Sequence, residues 1–343
     1  MAAGRGETLD VAAVDAWLRT RVPGLVGSPR VTQYTGGASN WTYRLEYPSH
    51  DLVLRRPPAG TKAKSAHDMG REFRVQQELR PAFPQVPEMI AFCDDLAVLG
   101  VEFYVMRRLD GVIPRARWDP KLDTATTRRL CTNAVDTLVS LHQVDPVRTG
   151  LDDLGKGKGY PRRQIEGWSD RYRKARTWNV PGFSRVMEWL AAHVPEDVAT
   201  CIVHNDFRLD NLVLDARDPT RVVGVLDWEM ATLGDPLMDL GNSLAYWVER
   251  GDDLVARATR RQPTQLPGML TRREVAAHYS ERSGLRPDNW AFYEVYGQFR
   301  LAAIAQQIYY RYHHGETRNP AFRNFWLLVH YLHWRCRRRI VAA

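Results

Sequence analysis

Cysteine is scarce and scattered: the 343 residues hold four, Cys93, Cys131, Cys201 and Cys336. No C-x-x-C pair and no metal-ligand spacing occurs among them, which excludes a disulfide framework and a zinc ribbon. Buried free thiols in a reducing compartment are the expectation. No apolar run approaches the roughly 18 to 20 residues that a membrane-spanning helix needs, and the opening stretch Met1 to Asp10 lacks the apolar core of a secretory signal. A cytoplasmic chain without membrane attachment is therefore expected. Lysine is missing from residues 242–343, which carry 16 Arg and 8 acidic residues, so this stretch accounts for the whole net charge of +8. An Arg-rich end suits an anionic partner, because the guanidinium fork pairs bidentately with phosphate and carboxylate; a solvated face ending in a disordered tail (Arg335, Arg337, Arg338, Arg339) is the plain alternative. Carboxylates are correspondingly too sparse there to hold a polycation.

What is present is enough apolar material, 44% of residues, for a sizeable core and two lobes. Val11, Val14, Trp17, Leu18 and Val22 recur at near-helical spacing, so residues 9–22 read as an amphipathic helix. The period then shortens. Val31 to Thr35, Trp41 to Tyr47 and Leu52 to Arg55 read as strands of an antiparallel meander, separated by Gly36-Gly37 and Pro48-Ser49-His50. Pro57 to Gly60 breaks it, and a helix capped by Ser65 is expected to run to Arg80. Further strands are expected at Glu88 to Cys93 and Phe103 to Arg107. Beyond Gly111 the pattern is helical at Thr126 to His142, Ser184 to His193, Leu240 to Arg250, Arg272 to Ser283 and Trp290 to Tyr312. Ile202 to Asp227 is the exception, a loop with short strands at Leu212 to Leu214 and Val222 to Leu226. The expected domains are a small β-rich lobe, residues 1–108, and a larger helical lobe, residues 109–343.

The chemistry concentrates in His204-Asn205-Asp206-Phe207-Arg208-Leu209-Asp210-Asn211. An Asp and an Asn five apart, followed by an apolar strand ending in Asp227, suit phosphoryl transfer: one carboxylate to orient and deprotonate an attacking hydroxyl, and oxygen ligands for Mg²⁺. Asp206 is then the base, with Asn211 and Asp227 the metal ligands. Taken singly, each would be an ordinary turn-capping residue.

The segments VHNDFRLDNLVLD and VVGVLDWEMATLGDPLMDLG resemble the signature of the aminoglycoside phosphotransferase superfamily, and within it the branch similar to the kinase-like domain of acyl-CoA dehydrogenase family proteins. The resemblance covers nearly the whole chain. It implies an α+β, bilobal protein-kinase-like fold and a small-molecule kinase that uses ATP or GTP with Mg²⁺. Gly36, Gly37, Ser39 and Asn40 form a small-residue turn able to approach phosphates. Period two puts Val53 and Arg55 on one strand face, Val53 toward adenine and Arg55 toward the phosphates. Related kinases usually carry Lys there, which leaves Arg55 or Arg56 for the role. The resemblance makes Glu72 the ion-pair partner of that Arg, and makes Phe103 to Leu109, with Met106, the adenine-binding strand and connector. His142 and His204 read as bracing residues, and Asp235 and Asp239 as turn and helix-start hydrogen-bonders.

For the acceptor side, Tyr160, Arg163 and Trp168, on a helix, and Glu229, after the metal Asp, are the candidates. The implied acceptor is a small anionic hydroxyl compound such as a hydroxyacyl-CoA. The rival readings are a nucleotide-binding pseudokinase and an antibiotic kinase. No nucleic-acid motif is found, so no nucleic-acid partner is expected; a monomer or homodimer is.

Overall fold

The computed structural model describes residues 9–34, 40–58, 68–118 and 120–343. Gly36, Gly37 and Ser39, and the expected cap Ser65, lie outside the described residues. In chain order the elements are α1 (Val11–Arg19), β1 (Arg30–Gln33), β2 (Trp41–Glu46), β3 (Asp51–Arg56), α2 (Met69–Leu79), β4 (Met89–Cys93), α3 (Leu96–Leu99), β5 (Phe103–Arg107), α4 (Thr124–His142), α5 (Tyr160–Ala175) and α6 (Ser184–Ala192). Then come β6 (Cys201–Val203), β7 (Leu212–Leu214), β8 (Val222–Val225), β9 (Thr232–Gly234), α7 (Pro236–Ala245), α8 (Leu254–Ala258), α9 (Arg272–Ser283), α10 (Trp290–His313) and α11 (Phe325–Val341). None of the described helices is long and apolar enough to cross a membrane. All four cysteines are free and buried.

The chain divides into two compact units, one of residues 1–111 with 223–229, the other of residues 112–222 with 230–343. The first is built on a five-stranded antiparallel sheet in the order β1-β2-β3-β5-β4. Side chains alternate across it as the pleat requires. Leu52, Leu54, Phe103 and Val105 share a core with Val14 and Leu18 of α1, while Val53, Tyr104 and Met106 pack with Met69 of α2 on the opposite face. Helix α2 starts at Met69, where the Asp68 carboxylate caps it by accepting from the Arg71 N–H.

The second unit is mostly helical. Helix α7 begins at Pro236, four residues before the apolar period suggests, because Asp235 caps it and proline is preorganised for the first helical position. Helices α7 and α10 cross backbone to backbone: a Cβ on Gly297 would lie 2.2 Å from the Gly241 carbonyl oxygen. The basic C-terminus is not a loose tail. It is helix α11, which buries Val329, Leu332 and Cys336, stacks Arg335 over Tyr331 and Arg338 over Trp334, and pairs Arg339 with Glu294 of α10. Its aromatic residues give the arginines flat partners, which a count of charges alone misses.

Candidate active site

In the first unit, strand register assembles the group. Val53 lies opposite Met106, and Arg55 opposite Tyr104, so all four side chains share the face turned to α2. Val53 and Met106 are both buried there. Arg55 meets three carboxylates: its Nη1 is 3.2 Å from Glu72 Oε1, and its Nη2 is 2.6 Å from Asp227 Oδ1 and 3.2 Å from Glu229 Oε2. Arg56 points to the other face and lies over Trp41, 4.7 Å from the ring centroid. Burial works against the Arg55 charge, but Glu72 and Asp227 hold its pKa well above the ordinary value. Burial also pushes the Glu72 carboxyl up, opposed by Arg55 and by the Tyr104 hydroxyl.

Asp227 sits at φ 70, a left-handed conformation that Asp tolerates better than most residues. The next residue, Trp228, is fully buried against Phe83 and donates from Nε1 to the Val225 carbonyl, which fixes the turn carrying Asp227 and Glu229. Glu229, expected on the acceptor side, lies here on Arg55 and on the Asn40 amide, whose Nδ2 donates to it at 3.2 Å.

In the second unit, β6 runs into the loop 204–208, and a short 3-10 turn, Leu209–Asn211, follows. Asp206 Oδ2 accepts from Asn211 Nδ2 at 2.9 Å and pairs with Arg208 at 3.2 Å. Arg208 in turn stacks on Tyr246, 4.5 Å from the ring centroid. Asn211 Nδ2 also donates to the Asp206 carbonyl, so both bonds use the amide nitrogen. The loop is pinned from below by Asp239, fully buried on α7, which accepts from the His204 and Asn205 N–H groups at 2.7 and 2.8 Å. Burial alone would raise the Asp239 pKa; hydrogen bonding and charge from His142, and the His204 donor, hold it below the usual carboxylate range. His142 is itself set between Asp239 and the Tyr279 hydroxyl. His204 braces the loop, accepting at Nδ1 from the Asp206 N–H.

Asn205 adopts φ 65, a left-handed conformation that Asn visits at low cost. Its side chain accepts from Tyr160 Oη and Asn242 Nδ2 and donates to the Met230 carbonyl. Tyr160 is thus a buried strut of the loop. Trp168 is buried with Nε1 on Gln164, and Arg163 caps the carbonyls of Gly157 and Lys158. Sequence reasoning missed Tyr104 and Arg208. Arg208 was visible two residues after Asp206; Tyr104 becomes visible only through cross-strand register.

The fold and this loop are those of a phosphotransferase. The pattern of the Phosphotransferase enzyme family matches residues 30–276, and the chain belongs to that family. It is a phosphotransferase with a hydroxyl group as acceptor. Acyl-CoA dehydrogenase family member 11 of Rattus norvegicus is 36% identical over 316 residues, 90% of this chain and 40% of that protein. The chain therefore spans less than half of that relative's length. A crystal structure of a putative aminoglycoside phosphotransferase from Ralstonia eutropha superposes with a TM-score of 0.80 at 31% identity, covering 97% of this chain and 98% of the other. A thermostable mutant of an aminoglycoside phosphotransferase, in ternary complex with AMP-PNP and hygromycin B, has a TM-score of 0.58 at 15% identity over 96% of this chain and 98% of that one, a likeness of fold.

Proposed function

We propose that the protein is a small-molecule kinase that transfers the γ-phosphoryl group of ATP, or GTP, to the hydroxyl of an anionic acceptor, and that a hydroxyacyl-CoA is the acceptor class. The observation that carries this reading is the Asp206 carboxylate held by Asn211 and Arg208 within a loop anchored on a buried aspartate. Asp206 takes the proton as the acceptor oxygen attacks the γ-phosphorus, and the bond to the departing nucleoside diphosphate breaks. Val53 and Met106 cover the base. Arg55, steadied by Glu72, meets the phosphates, and Gly36, Gly37, Ser39 and Asn40 supply the turn beside them.

Mg²⁺ would be held by Asn211 and Asp227, and when bound supplies charge neutralisation of the phosphates. The donors fit a hard cation: an amide oxygen and a carboxylate one-third exposed. Among the described residues no cluster of three or more His, Cys, Asp or Glu is placed to hold an ion. Such a donor set suits a cation whose remaining ligands are phosphate and water. The excess of Arg over acid in residues 242–343 and the name of the rat relative support an anionic thioester over a polycationic antibiotic. Tyr160, Arg163 and Trp168 then act by supporting the acceptor side.

The test is Mg²⁺-dependent nucleoside diphosphate release with hydroxyacyl-CoAs, sugars and aminoglycosides as acceptors, in the wild type and in Asp206→Ala. Release stimulated by a hydroxyacyl-CoA and reduced at least ~10²-fold in the variant is expected. Tight nucleotide binding without turnover on any acceptor would sink the kinase reading in favour of a regulatory nucleotide-binding protein; stimulation by aminoglycosides alone would sink the acceptor class.

A further inference from the structure

The phosphate-side arginine is not held by its glutamate alone. Tyr104 and Arg55 are direct cross-strand partners on β5 and β3, and both reach the same atom of α2: Glu72 Oε1 accepts from Tyr104 Oη at 2.8 Å and pairs with Arg55 Nη1 at 3.2 Å. The second carboxylate oxygen, Glu72 Oε2, is buried with no hydrogen-bond partner among the described residues. Glu72 is 2% exposed, so a buried carboxylate here depends on two donors, of which the tyrosine hydroxyl is the shorter contact.

The hydroxyl has one sense. Gln76, one turn along α2, donates from Nε2 to Tyr104 Oη at 3.4 Å and to the Glu72 carbonyl at 3.1 Å. With an N–H already directed at the phenol oxygen, the phenol proton is left to point at Glu72. Burial keeps the Tyr104 pKa well above its ordinary value, so it remains a donor throughout the working range. The ring is clamped as well, packed at 6.3 Å from Phe73, which sits at 5.6 Å from Phe92.

We propose that Tyr104 is a positioning residue for nucleotide binding: by occupying Glu72 Oε1 it stops Glu72 from drawing Arg55 into a closed bidentate pair, and leaves the guanidinium Nη2 edge directed away from α2. That edge is the one turned to Asp227 and Glu229. A lysine, with a single nitrogen, has no second edge to protect; a planar fork opposite a carboxylate does, since the two-bond pairing is its preferred geometry. This rests on the reading above that Arg55 meets the nucleotide phosphates.

Binding of AMP-PNP with Mg²⁺, measured by titration calorimetry, tests it in Tyr104→Phe, Glu72→Gln, the double variant and Arg55→Ala. Tyr104→Phe should weaken binding about tenfold, the size of one hydrogen bond to a charged group, and raise KM for the nucleotide while leaving KM for the acceptor unchanged. In the Glu72→Gln background the same change should cost nothing further, because an uncharged amide with one oxygen cannot draw Arg55 into a two-bond pair. Wild-type affinity in Tyr104→Phe, or an equal loss in both backgrounds, overturns the inference. Unchanged binding in Arg55→Ala would instead sink the phosphate-contact reading itself. Should Tyr104→Phe not fold, Gln76→Met carries the test: freeing the phenol to rotate should weaken binding in the same sense, and unaltered affinity overturns the inference.

Discussion

At the scale of the residue, the pairing of Asp206 with Asn211 was legible because its spacing is local: the two lie five apart, and their side chains do meet. Which arginine meets Glu72 and Asp227 was not, since that turns on which face of β3 meets α2, and the register places Arg55 opposite Tyr104. Asp235 and Asp239 read as hydrogen-bonders and are, yet they hold their protons with different affinity for a physical reason. Asp239 has an imidazole beside it, whereas Asp235 accepts only from the N–H groups of Val198, Leu237 and Met238. Burial outweighs those three bonds and pushes its carboxyl up to about 6. A folded-state pKa above the unfolded one means that the folded protein binds the proton more readily between the two values. Stability from this group is therefore fully present below about pH 4 and is lost as pH rises through about 6, by up to ~3 kcal/mol. Asp235→Asn keeps a capping oxygen without the ionisation. Urea unfolding of both proteins from pH 4 to 7 should show wild type losing about 2–3 kcal/mol relative to the variant; parallel curves would refute the assignment.

At the scale of the element, periodicity found several long helices, whereas composition left the last one open. The four arginines in Arg335 to Arg339 suited either an anionic partner or a disordered tail, but the buried residues of α11, Val329, Leu332 and Cys336, are spaced three and four apart and form a stripe that the charges conceal. The short strands β6 and β9 escaped for another reason: three residues each, antiparallel from Cys201–Gly234 to Val203–Thr232, they carry too few positions for a period to register. They nevertheless set the start of the 204–208 loop. If α11 is a packed element, its inward and outward positions must respond differently. Leu332→Ala should cost about 3 kcal/mol in thermal or denaturant unfolding, and Arg337→Ser, on the exposed side, no more than about 0.5 kcal/mol. Equal and negligible effects would mean that the helix does not pack in solution.

At the scale of the whole molecule, the pattern along the chain turns helical beyond Gly111, whereas the grouping of residues 223–229 with the first 111 is a matter of topology. No local pattern encodes such a return, although the chemistry explains it. Val225 donates to the Gln85 carbonyl at 2.7 Å, Trp228 covers Phe83, and Asp227 and Glu229 bring two of the three carboxylates that surround Arg55. Without this segment Phe83, 1% exposed in the protein, loses its cover and Arg55 keeps Glu72 as its sole acidic partner among the described residues. Losing a buried tryptophan contact of this kind costs ~3–5 kcal/mol, against a typical domain stability of about 5–15 kcal/mol. A fragment of residues 1–111 should therefore unfold at low urea with a shallow transition. The same fragment carrying residues 220–231 on a glycine-serine linker should recover a steep one, with a blue-shifted Trp228 fluorescence lost at the same midpoint as the far-ultraviolet circular dichroism. Equal midpoints for the two fragments would show that the returning segment borrows its place from the sheet without supporting it, with Glu72 alone balancing the Arg55 charge.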